Sequence, residues 1–245
     1  MTFMTQNIYD HEDFFQGYSQ LNRSIHGLDG APEWAALQSL LPDMKGIEVL
    51  DLGCGFGWFC RWAKEHGAIS VLGIDVSAKM LARAKDETKD PQISYLRADL
   101  ETIELERERY DLVYSSLAFH YIENIERLLK QAYDSLKAGG RLVCSIEHPI
   151  YTASQGAGWI PHPNGFRTWP VDHYQFEGPR TTNWLAEGVI KQHRTIGTYL
   201  NLLIRVGFTI THVEDWGPAD EQLAVHPEWE EESHRPMFLL ISATR

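Results

Sequence analysis

The chain of 245 residues contains few cysteines and no cysteine motif. Its three cysteines, Cys54, Cys60 and Cys144, are odd in number and form no CxxC pair. This pattern argues against a disulfide framework and against a zinc knuckle. Cysteines without a disulfide pattern are typical of proteins in a reducing compartment, so we expect a cytoplasmic protein.

Long apolar runs and an excess of positive charge are also missing. No apolar run approaches the ~20 residues that a membrane-spanning helix needs. The first residues, MTFMTQNIYDHEDFF, lack the basic and apolar regions of a signal peptide. The 22 basic and 34 acidic residues give a formal charge of −12. We therefore expect no membrane span and no nucleic-acid partner, because an acidic chain is poorly suited to a polyanion.

Metal-binding motifs are absent as well. The sequence has no HExxH motif and no tight cluster of His and Asp residues. We therefore expect no catalytic metal.

Short apolar segments alternate with amphipathic segments between residues 47 and 148. IEVLDLG, SVLGID, ISYLRAD, YDLVYSS and RLVCSIEH predict strands. WFCRWAKEHG, SAKMLARAKDETK and NIERLLKQAYDSLKAGG predict helices, the second capped by Ser77 and the third ended by Gly139 and Gly140. Near the C-terminus, TIGTYLNLLIRVG predicts a helix, and FTITHVEDW and MFLLISATR predict strands. This alternation indicates an α/β fold with a parallel sheet.

Four segments follow from these patterns. Residues 1–46 form a helical N-terminal segment, residues 47–148 an α/β core, and residues 195–245 the C-terminal part of that core. Residues 149–194 form an insertion rich in Pro, Gly and aromatic residues, with no clear period. An insertion of that length is usually functional or mobile.

A glycine-rich loop, Gly53-Cys54-Gly55-Phe56-Gly57, follows the first predicted strand. Glycines allow a tight turn and a close approach of a ligand to the backbone, and open α/β sheets bind ligands at this edge. The loop lacks the GxxxxGK[ST] of a triphosphate site, and its GxGxG spacing is one residue short of the dinucleotide motif GxGxxG. Asp75 ends the second strand, where an acid can accept both ribose hydroxyls, and Asp99 ends the third. The pattern predicts a nucleoside-bearing ligand without fixing which one.

Five segments in this order resemble the class I S-adenosylmethionine-dependent methyltransferases: VLDLGCGFG, GIDVS, RADLETI, YDLVYSSLAFHYI and LKAGGRLVCSIEHP. The resemblance covers residues 49–149 and is closest to the small-molecule branch that includes the ubiquinone and menaquinone C-methylases. It implies a Rossmann-like fold: a seven-stranded, mostly parallel sheet with an antiparallel last strand and helices on both faces. It also implies the cofactor S-adenosylmethionine, the product S-adenosylhomocysteine, and methyl transfer by in-line displacement to a small-molecule acceptor.

The resemblance also implies roles for individual residues. The glycine loop would face the methionine part of the cofactor and Asp75 would bind its ribose. The N-terminal segment would close over the cofactor as a lid, with Arg23 paired to the cofactor carboxylate. The full set of expected cofactor-binding residues is Tyr18, Arg23, Asp51, Gly53, Gly55, Asp75, Val76, Met80, Asp99, Leu100, Ser115 and Leu117.

The insertion is expected to build the acceptor pocket. Its aromatic residues Trp159, Trp169, Tyr174, Phe176 and Trp184 would line that pocket or form the small core of the insertion. Candidate general bases are His120, His148 and His193, with His173 as a further candidate, because histidine titrates near neutral pH. The acidic run at residues 228–232 is expected to face solvent.

Two other functions remain open at this point. One is a non-catalytic protein that binds S-adenosylmethionine, although the long insertion favours an enzyme with an acceptor pocket. The other is an NAD-dependent oxidoreductase, which the GxGxG spacing disfavours. Carbon, nitrogen and oxygen acceptors are all compatible with the sequence.

Overall fold

The computed structural model describes residues 5–156 and 158–245. Its strands are β1 (Glu48–Leu52), β2 (Ser70–Asp75), β3 (Ile93–Arg97), β4 (Tyr110–Ser116), β5 (Leu136–Glu147), β6 (Ile160–Pro161), β7 (Arg167–Thr168), β8 (Gly178–Trp184), β9 (Ala186–His193), β10 (Thr209–Trp216) and β11 (Phe238–Thr244). Its α-helices are α1 (Glu12–Ser19), α2 (Asn22–Ile25), α3 (Trp34–Ser39), α4 (Trp58–Glu65), α5 (Ala78–Glu87), α6 (Ile125–Ser135), α7 (Pro149–Ala153), α8 (Ile196–Val206) and α9 (Asp220–Val225). Short 3₁₀ helices cover Ile8–Asp10, Gly27–Gly30, Phe119–Tyr121 and Pro227–Ser233.

Seven strands form one sheet in the order β10-β11-β5-β4-β1-β2-β3. The pairs from β5 to β3 are parallel, and β11 is antiparallel to both of its neighbours. This confirms the predicted Rossmann-like α/β fold with a reversed last strand. The carboxyl ends of six strands therefore meet at one edge of the sheet, together with the start of β11, where Phe238 pairs with Glu147.

The sheet buries both of its faces. Along β1, Val49 belongs to one apolar cluster while Leu50 and Leu52 belong to the other, and all three side chains are fully buried. Helices α6 and α8 cover the face of Leu50, while α3 and α4 cover the face of Val49. Burial on both faces explains why the parallel strands read as nearly continuous apolar runs.

Helix α6 ends earlier than predicted. It stops at Ser135, and residues 136–140, which include the two glycines predicted to end it, are part of β5. Leu136 pairs with Tyr110, and the backbone of Gly139 and Gly140 exchanges hydrogen bonds with Arg245. Pairing with distant parts of the chain therefore determines where this helix ends.

The insertion is more regular than its sequence suggests. We call residues 149–194 the cap. It contains α7 and two hairpins, β6–β7 and β8–β9, and the second hairpin runs from the Gly178–His193 pair to the turn near Trp184. The cap contacts the N-terminal segment through Gln6, whose side chain bonds the backbone of Gly188 and Ile190 at 2.8 and 2.9 Å. The division of the chain into four segments remains an interpretation of the sequence.

Among the described residues, no helix combines the length and the apolar character that crossing a membrane requires.

Candidate functional site

A cavity of about 380 Å³ lies at the edge of the sheet where the strand carboxyl ends meet. Four parts of the chain line it: the sheet edge, the N-terminal segment, the cap and the 3₁₀ helix before β11. Along the sheet edge the lining residues follow the strand order, from Glu147 on β5 through Ser116 on β4 and Gly53 after β1 to Asp75 on β2. Asp75 and Glu147 are three strands apart, roughly 14 Å at the usual ~4.8 Å spacing.

The glycine loop requires glycine for its backbone geometry. Gly53, Gly55 and Gly57 have φ values of 83°, 51° and 72°. A Cβ on Gly53 would lie 2.4 Å from the Cβ of Ala118, whereas a Cβ on Gly55 would meet no atom within 4 Å. Gly53 and Gly55 both line the cavity. The loop therefore offers bare backbone next to open space, as a closely approaching ligand needs.

Asp75 lies on the cavity as expected. Its Oδ2 accepts a hydrogen bond from the Gly55 amide at 2.9 Å, and its Oδ1 accepts one from the Ser77 amide at 2.8 Å. Burial raises the pKa of Asp75, and the nearby Asp10 carboxylate adds to the rise. Each oxygen keeps a lone pair for a further donor. Asp75 thus fixes the loop and can still accept from a ligand.

Asp99 also lies on the cavity, and the N-terminal segment contacts it. Thr5 donates its amide to Oδ2 at 2.9 Å and its hydroxyl to Oδ1 at 2.6 Å, while Glu101 donates its amide to Oδ1 at 2.9 Å. Three further expected residues, Val76, Met80 and Leu100, line the same end of the cavity. The contact with Thr5 has no signal in the sequence, because 94 residues separate the two.

Asp51 and Arg23 lie around a smaller adjoining pocket of about 90 Å³. Asp51 accepts a hydrogen bond from the Cys60 thiol at 3.3 Å, and burial raises its pKa to about 7. Arg23 is already paired, since its Nη2 lies 2.9 Å from both oxygens of the fully buried Glu33. Glu33 therefore holds the guanidinium that was expected to pair with the cofactor carboxylate, and Arg23 also lines the main cavity.

Ser115 requires a correction, because the structure places it away from the cavity. It is fully buried and donates its hydroxyl to the Leu52 carbonyl at 2.8 Å. Its neighbours Ser116 and Leu117 line the cavity instead. Leu117 has a φ of 54°, an unusual value for a residue with a branched side chain. Side chains alternate along a strand, so a shift of one residue changes which side chain reaches a ligand.

His148 and His193 also require a correction, since neither lies on the cavity. His148 accepts from the Ile150 amide at 3.0 Å and contacts Asp215 at 2.8 Å through Nε2. Both ring nitrogens of His193 are also used, by Thr152 at 2.8 Å and by the Tyr174 carbonyl at 3.0 Å. His148 thus joins the start of the cap to β10, and His193 joins three parts of the cap to one another. We do not propose either histidine as a base.

His120 is the predicted histidine that the structure places on the cavity. It is buried, and its Nδ1 accepts from the Glu147 amide at 3.3 Å. Burial lowers its pKa to about 4, and the positive charges of Lys191 and Arg194 also disfavour the protonated form. The imidazole is therefore neutral at physiological pH.

The aromatic wall of the cavity comes only partly from the cap. Of the five aromatic residues predicted to line the acceptor pocket, Trp184 does so. Trp159 and Trp169 pack on Arg235 instead, and Phe176 is 69% exposed. The N-terminal segment contributes the expected Tyr18 and also Tyr9. The remaining aromatic lining residues are Tyr121, Tyr151, Trp229 and Phe238.

Two of these residues show what the sequence argument missed. Trp229 lies in the acidic run expected to face solvent, yet it reaches the cavity. Tyr121 follows His120 directly, so its position after β4 was an available signal.

An ion pair between Glu147 and Lys191 lies in the cavity wall and was not predicted. The Lys191 ammonium is 2.5 Å from Oε1 of Glu147, and the two side chains are 5% and 14% exposed. Glu147 lines the cavity, and the Lys191 ammonium lies 4.9 Å from the centroid of the Trp184 ring. Since 44 residues separate the pair, only the packing of the cap on the core reveals it.

Comparison with known proteins gives consistent relatives. A family model described as a methyltransferase domain matches residues 50–144. The chain is 56% identical to an S-adenosylmethionine-dependent methyltransferase of known structure from Mesorhizobium loti, with a TM-score of 0.87 over 89% of this chain and 100% of that one. It is 37% identical to a Haemophilus influenzae protein of uncharacterised function, over 98% of this chain and 97% of that protein. A Coxiella burnetii ubiquinone biosynthesis O-methyltransferase is 32% identical over 60% of this chain and 65% of its own length.

Proposed function

Because the chain belongs to the class I S-adenosylmethionine-dependent methyltransferases and uses that cofactor, we propose that it methylates a small-molecule acceptor bound in the same cavity. The alternative of an NAD-dependent oxidoreductase is set aside by this membership. The acidic charge of −12 continues to disfavour a nucleic-acid acceptor.

The main support for the proposal is that the cofactor end and the proposed acceptor end belong to one continuous cavity. One cavity of about 380 Å³ extends from Asp75 to Glu147. Residues of the N-terminal segment and of the cap form part of its wall. This volume falls within the range of small-molecule sites. A macromolecular acceptor would instead favour an open surface groove.

The cavity fits the cofactor at its β1–β3 end. We propose that the Asp75 carboxylate accepts the ribose hydroxyls and that the bare backbone of Gly53 and Gly55 lies against the methionine part. Val76 and Met80 would pack on the adenine ring, and Leu100 would contact its edge. Asp99 Oδ2, which accepts one hydrogen bond from Thr5, keeps a lone pair for the adenine amine.

The bound cofactor supplies a methyl group activated by a positively charged sulfur. The chain's own residues align the acceptor and exclude water. Tyr9 and Tyr121 contribute to this closure, since their hydroxyls lie 3.3 Å apart across the junction between the N-terminal segment and the core. Aromatic faces such as these suit a transition state with dispersed positive charge.

The test is formation of S-adenosylhomocysteine in the presence of a panel of small phenols, alcohols, amines and carboxylic acids. We expect at least one class to be methylated by the full chain, and Asp75→Ala to abolish the turnover. Methylation of proteins or nucleic acid in place of every small molecule would contradict the proposal, as would an absence of turnover with a chain that binds the cofactor.

A further inference from the structure

The buried carboxylate of Glu147 has acceptor capacity that the protein leaves unused. Lys191 contacts Oε1 at 2.5 Å, whereas Oε2 is buried and accepts no hydrogen bond from any residue in the described ranges. A buried carboxylate oxygen without a donor is unfavourable, and such groups are rare in folded proteins. Because Glu147 lines the cavity and its side chain is 14% exposed, a small rotation of the carboxyl group would bring Oε2 to a bound molecule that supplies the missing donor.

His120 presents the complementary group. Its Nδ1 accepts a hydrogen bond from the Glu147 amide, so in the neutral ring the proton is on Nε2. Within the described part of the chain, no residue accepts a hydrogen bond from this N–H. His120 therefore cannot take a proton through Nδ1, and it offers the cavity a donor. This changes its expected role from a base to a hydrogen-bond donor.

We propose that the acceptor is a hydroxyl compound whose oxygen binds between the His120 N–H and the Glu147 carboxylate. This inference rests on the proposed methyl transfer and specifies its acceptor. A hydroxyl oxygen carries one proton and two lone pairs. The proton is donated to Glu147, one lone pair accepts from His120, and the second remains free to attack the methyl group.

Two other acceptor classes match these groups less well. A neutral amine has a single lone pair, so accepting from His120 would remove the electrons needed for attack. A carboxylate has no proton for Glu147, and its negative charge is repelled by a buried carboxylate. The aromatic wall formed by Tyr151, Trp184 and Phe238 favours a flat, apolar body on the hydroxyl compound.

The step balances in atoms and charge. The bond between the acceptor oxygen and the methyl carbon forms as the bond between that carbon and sulfur breaks, and the electron pair leaves on sulfur. The hydroxyl proton passes to the Glu147 carboxylate, which later returns it to solvent. Glu147 is thus the general base, and Lys191 is a positioning residue that holds the carboxylate in place.

The experiment uses three probes of matched shape: 4-propylphenol, 4-propylaniline and 4-propylbenzoate. Each is titrated by calorimetry into the full chain saturated with S-adenosylhomocysteine, and methylation of each is then measured with S-adenosylmethionine. We expect the phenol to bind at least 10-fold more tightly than the other two and to be methylated. Equal or tighter binding of the aniline or the benzoate, or binding of none of the three, would overturn the assignment.

Variants test the two groups separately. Glu147→Gln should lower methylation of the phenol about 100-fold or more, the usual size of a general-base effect. His120→Leu should weaken phenol binding, whereas His120→Gln, which keeps an N–H donor, should restore most of it. Wild-type methylation by Glu147→Gln would refute the role of this carboxylate.

Folding and cofactor binding are controlled independently. Glu147→Gln leaves the Lys191 ammonium without its partner and could prevent folding. In that case the double variant Glu147→Gln, Lys191→Met, which removes both charges, is used in the same measurements. Glu187→Gln changes the same residue type at an exposed position of β9 and should behave as wild type. Binding of S-adenosylhomocysteine to the wild-type chain separates the two hypotheses. If the wild-type chain does not bind it, the proposed function is refuted. If the chain binds it but shows no preference for the phenol, only this inference is refuted.

Discussion

Asp75 joins two functions in one side chain. Its oxygens receive the amides of Gly55 and Ser77, so it fixes both the glycine loop and the start of α5. Asp75 also lines the cavity where the ribose is expected. Replacing this residue therefore leaves two backbone donors without a partner and removes the ligand contacts that we propose for it.

We predict that Asp75→Ala weakens binding of S-adenosylhomocysteine by roughly 3 kcal/mol or more, since two hydrogen bonds to a charged acceptor are lost at ~1.5–3 kcal/mol each. Titration calorimetry measures this change directly. Asp86→Ala, an exposed aspartate on α5, is the matched control and should not change the affinity. Affinity close to wild type in Asp75→Ala would disprove the ribose assignment.

Gly55 allows a second test at a single position. Its φ of 51° disfavours any residue with a Cβ, but that Cβ would enter open space on the cavity. We predict that Gly55→Ala costs only about 1–2 kcal/mol of unfolding free energy, the usual strain of a left-handed residue, and weakens cofactor binding more than it weakens the fold. Denaturant unfolding and calorimetry on the same variant compare the two effects. A variant that loses stability but keeps its affinity would show that Gly55 does not face the ligand.

At the scale of elements, the N-terminal segment is attached to the core at specific points. The Asp10 carboxylate accepts from the Ser77 hydroxyl at 2.6 Å and from the amides of Ala78 and Lys79 at 3.3 and 3.1 Å. It therefore binds the free amides at the start of α5, where a negative charge is favourable. Thr5 and Gln6 extend the attachment to Asp99 and to the cap.

We predict that Asp10→Ala increases the mobility of residues 5–21 and speeds release of the cofactor several-fold, while leaving the sheet intact. Hydrogen exchange resolved by segment and stopped-flow release of S-adenosylhomocysteine measure the two effects. Asp13→Ala on α1 is the matched control, because Asp13 is exposed and forms no ion pair in the described structure. Unchanged release would show that this segment does not act as a lid.

The attachment through Asp10 should also depend on pH. Burial opposes ionisation of Asp10, but hydrogen bonds from Ser77, Lys79 and Asn7 outweigh it and lower its pKa below the ordinary 3.8. A lowered pKa in the folded state means that the stabilisation is complete above pH ~4 and is lost as the pH falls through the folded pKa. We expect exchange in residues 5–21 to stay slow down to pH ~4 and to rise below it, and this rise to be absent in Asp10→Asn. Loosening of the wild-type segment near pH 6 would contradict this expectation.

Elements differ in how well the sequence predicted them. Strands β2 and β4 match the predicted segments SVLGID and YDLVYSS, because buried parallel strands are apolar on both faces. The hairpin β8–β9 was missed, because three of its buried positions hold the charged or polar residues Arg180, Lys191 and His193 and not apolar ones. Its position depends on contacts with α7 and the N-terminal segment that no local pattern records.

For the whole molecule, we predict that ligands bearing the adenosyl-sulfur group raise the melting temperature. A ligand that binds only the folded state stabilises it by ~2.7 kcal/mol at ~100 times its dissociation constant. In a chain of this size that corresponds to a rise of about 5–10 °C. S-adenosylmethionine and S-adenosylhomocysteine should produce this shift in a thermal melt, whereas NAD and ATP should not. A comparable shift with NAD would contradict the assigned cofactor.

Five segments that resemble a known methyltransferase family identified the cofactor. The sequence by itself determined the fold class, the positions of the core strands along the chain and a site for a nucleoside-bearing ligand. These features depend on local patterns: apolar runs, turn glycines, and acids placed directly after strands at the edge where a parallel sheet binds ligands. Asp75, Asp99, Gly53 and Gly55 therefore lie on the cavity as their sequence positions indicated.

Only the tertiary structure decided which residues line the end of the cavity where we propose that the acceptor binds. It removed His148, His193 and Ser115 from the cavity and added Glu147, whose partner Lys191 is distant in sequence. Whether a polar side chain faces a ligand or completes a hydrogen bond inside the fold depends on partners from other segments. A pattern in one segment cannot record those partners, because packing alone brings them together.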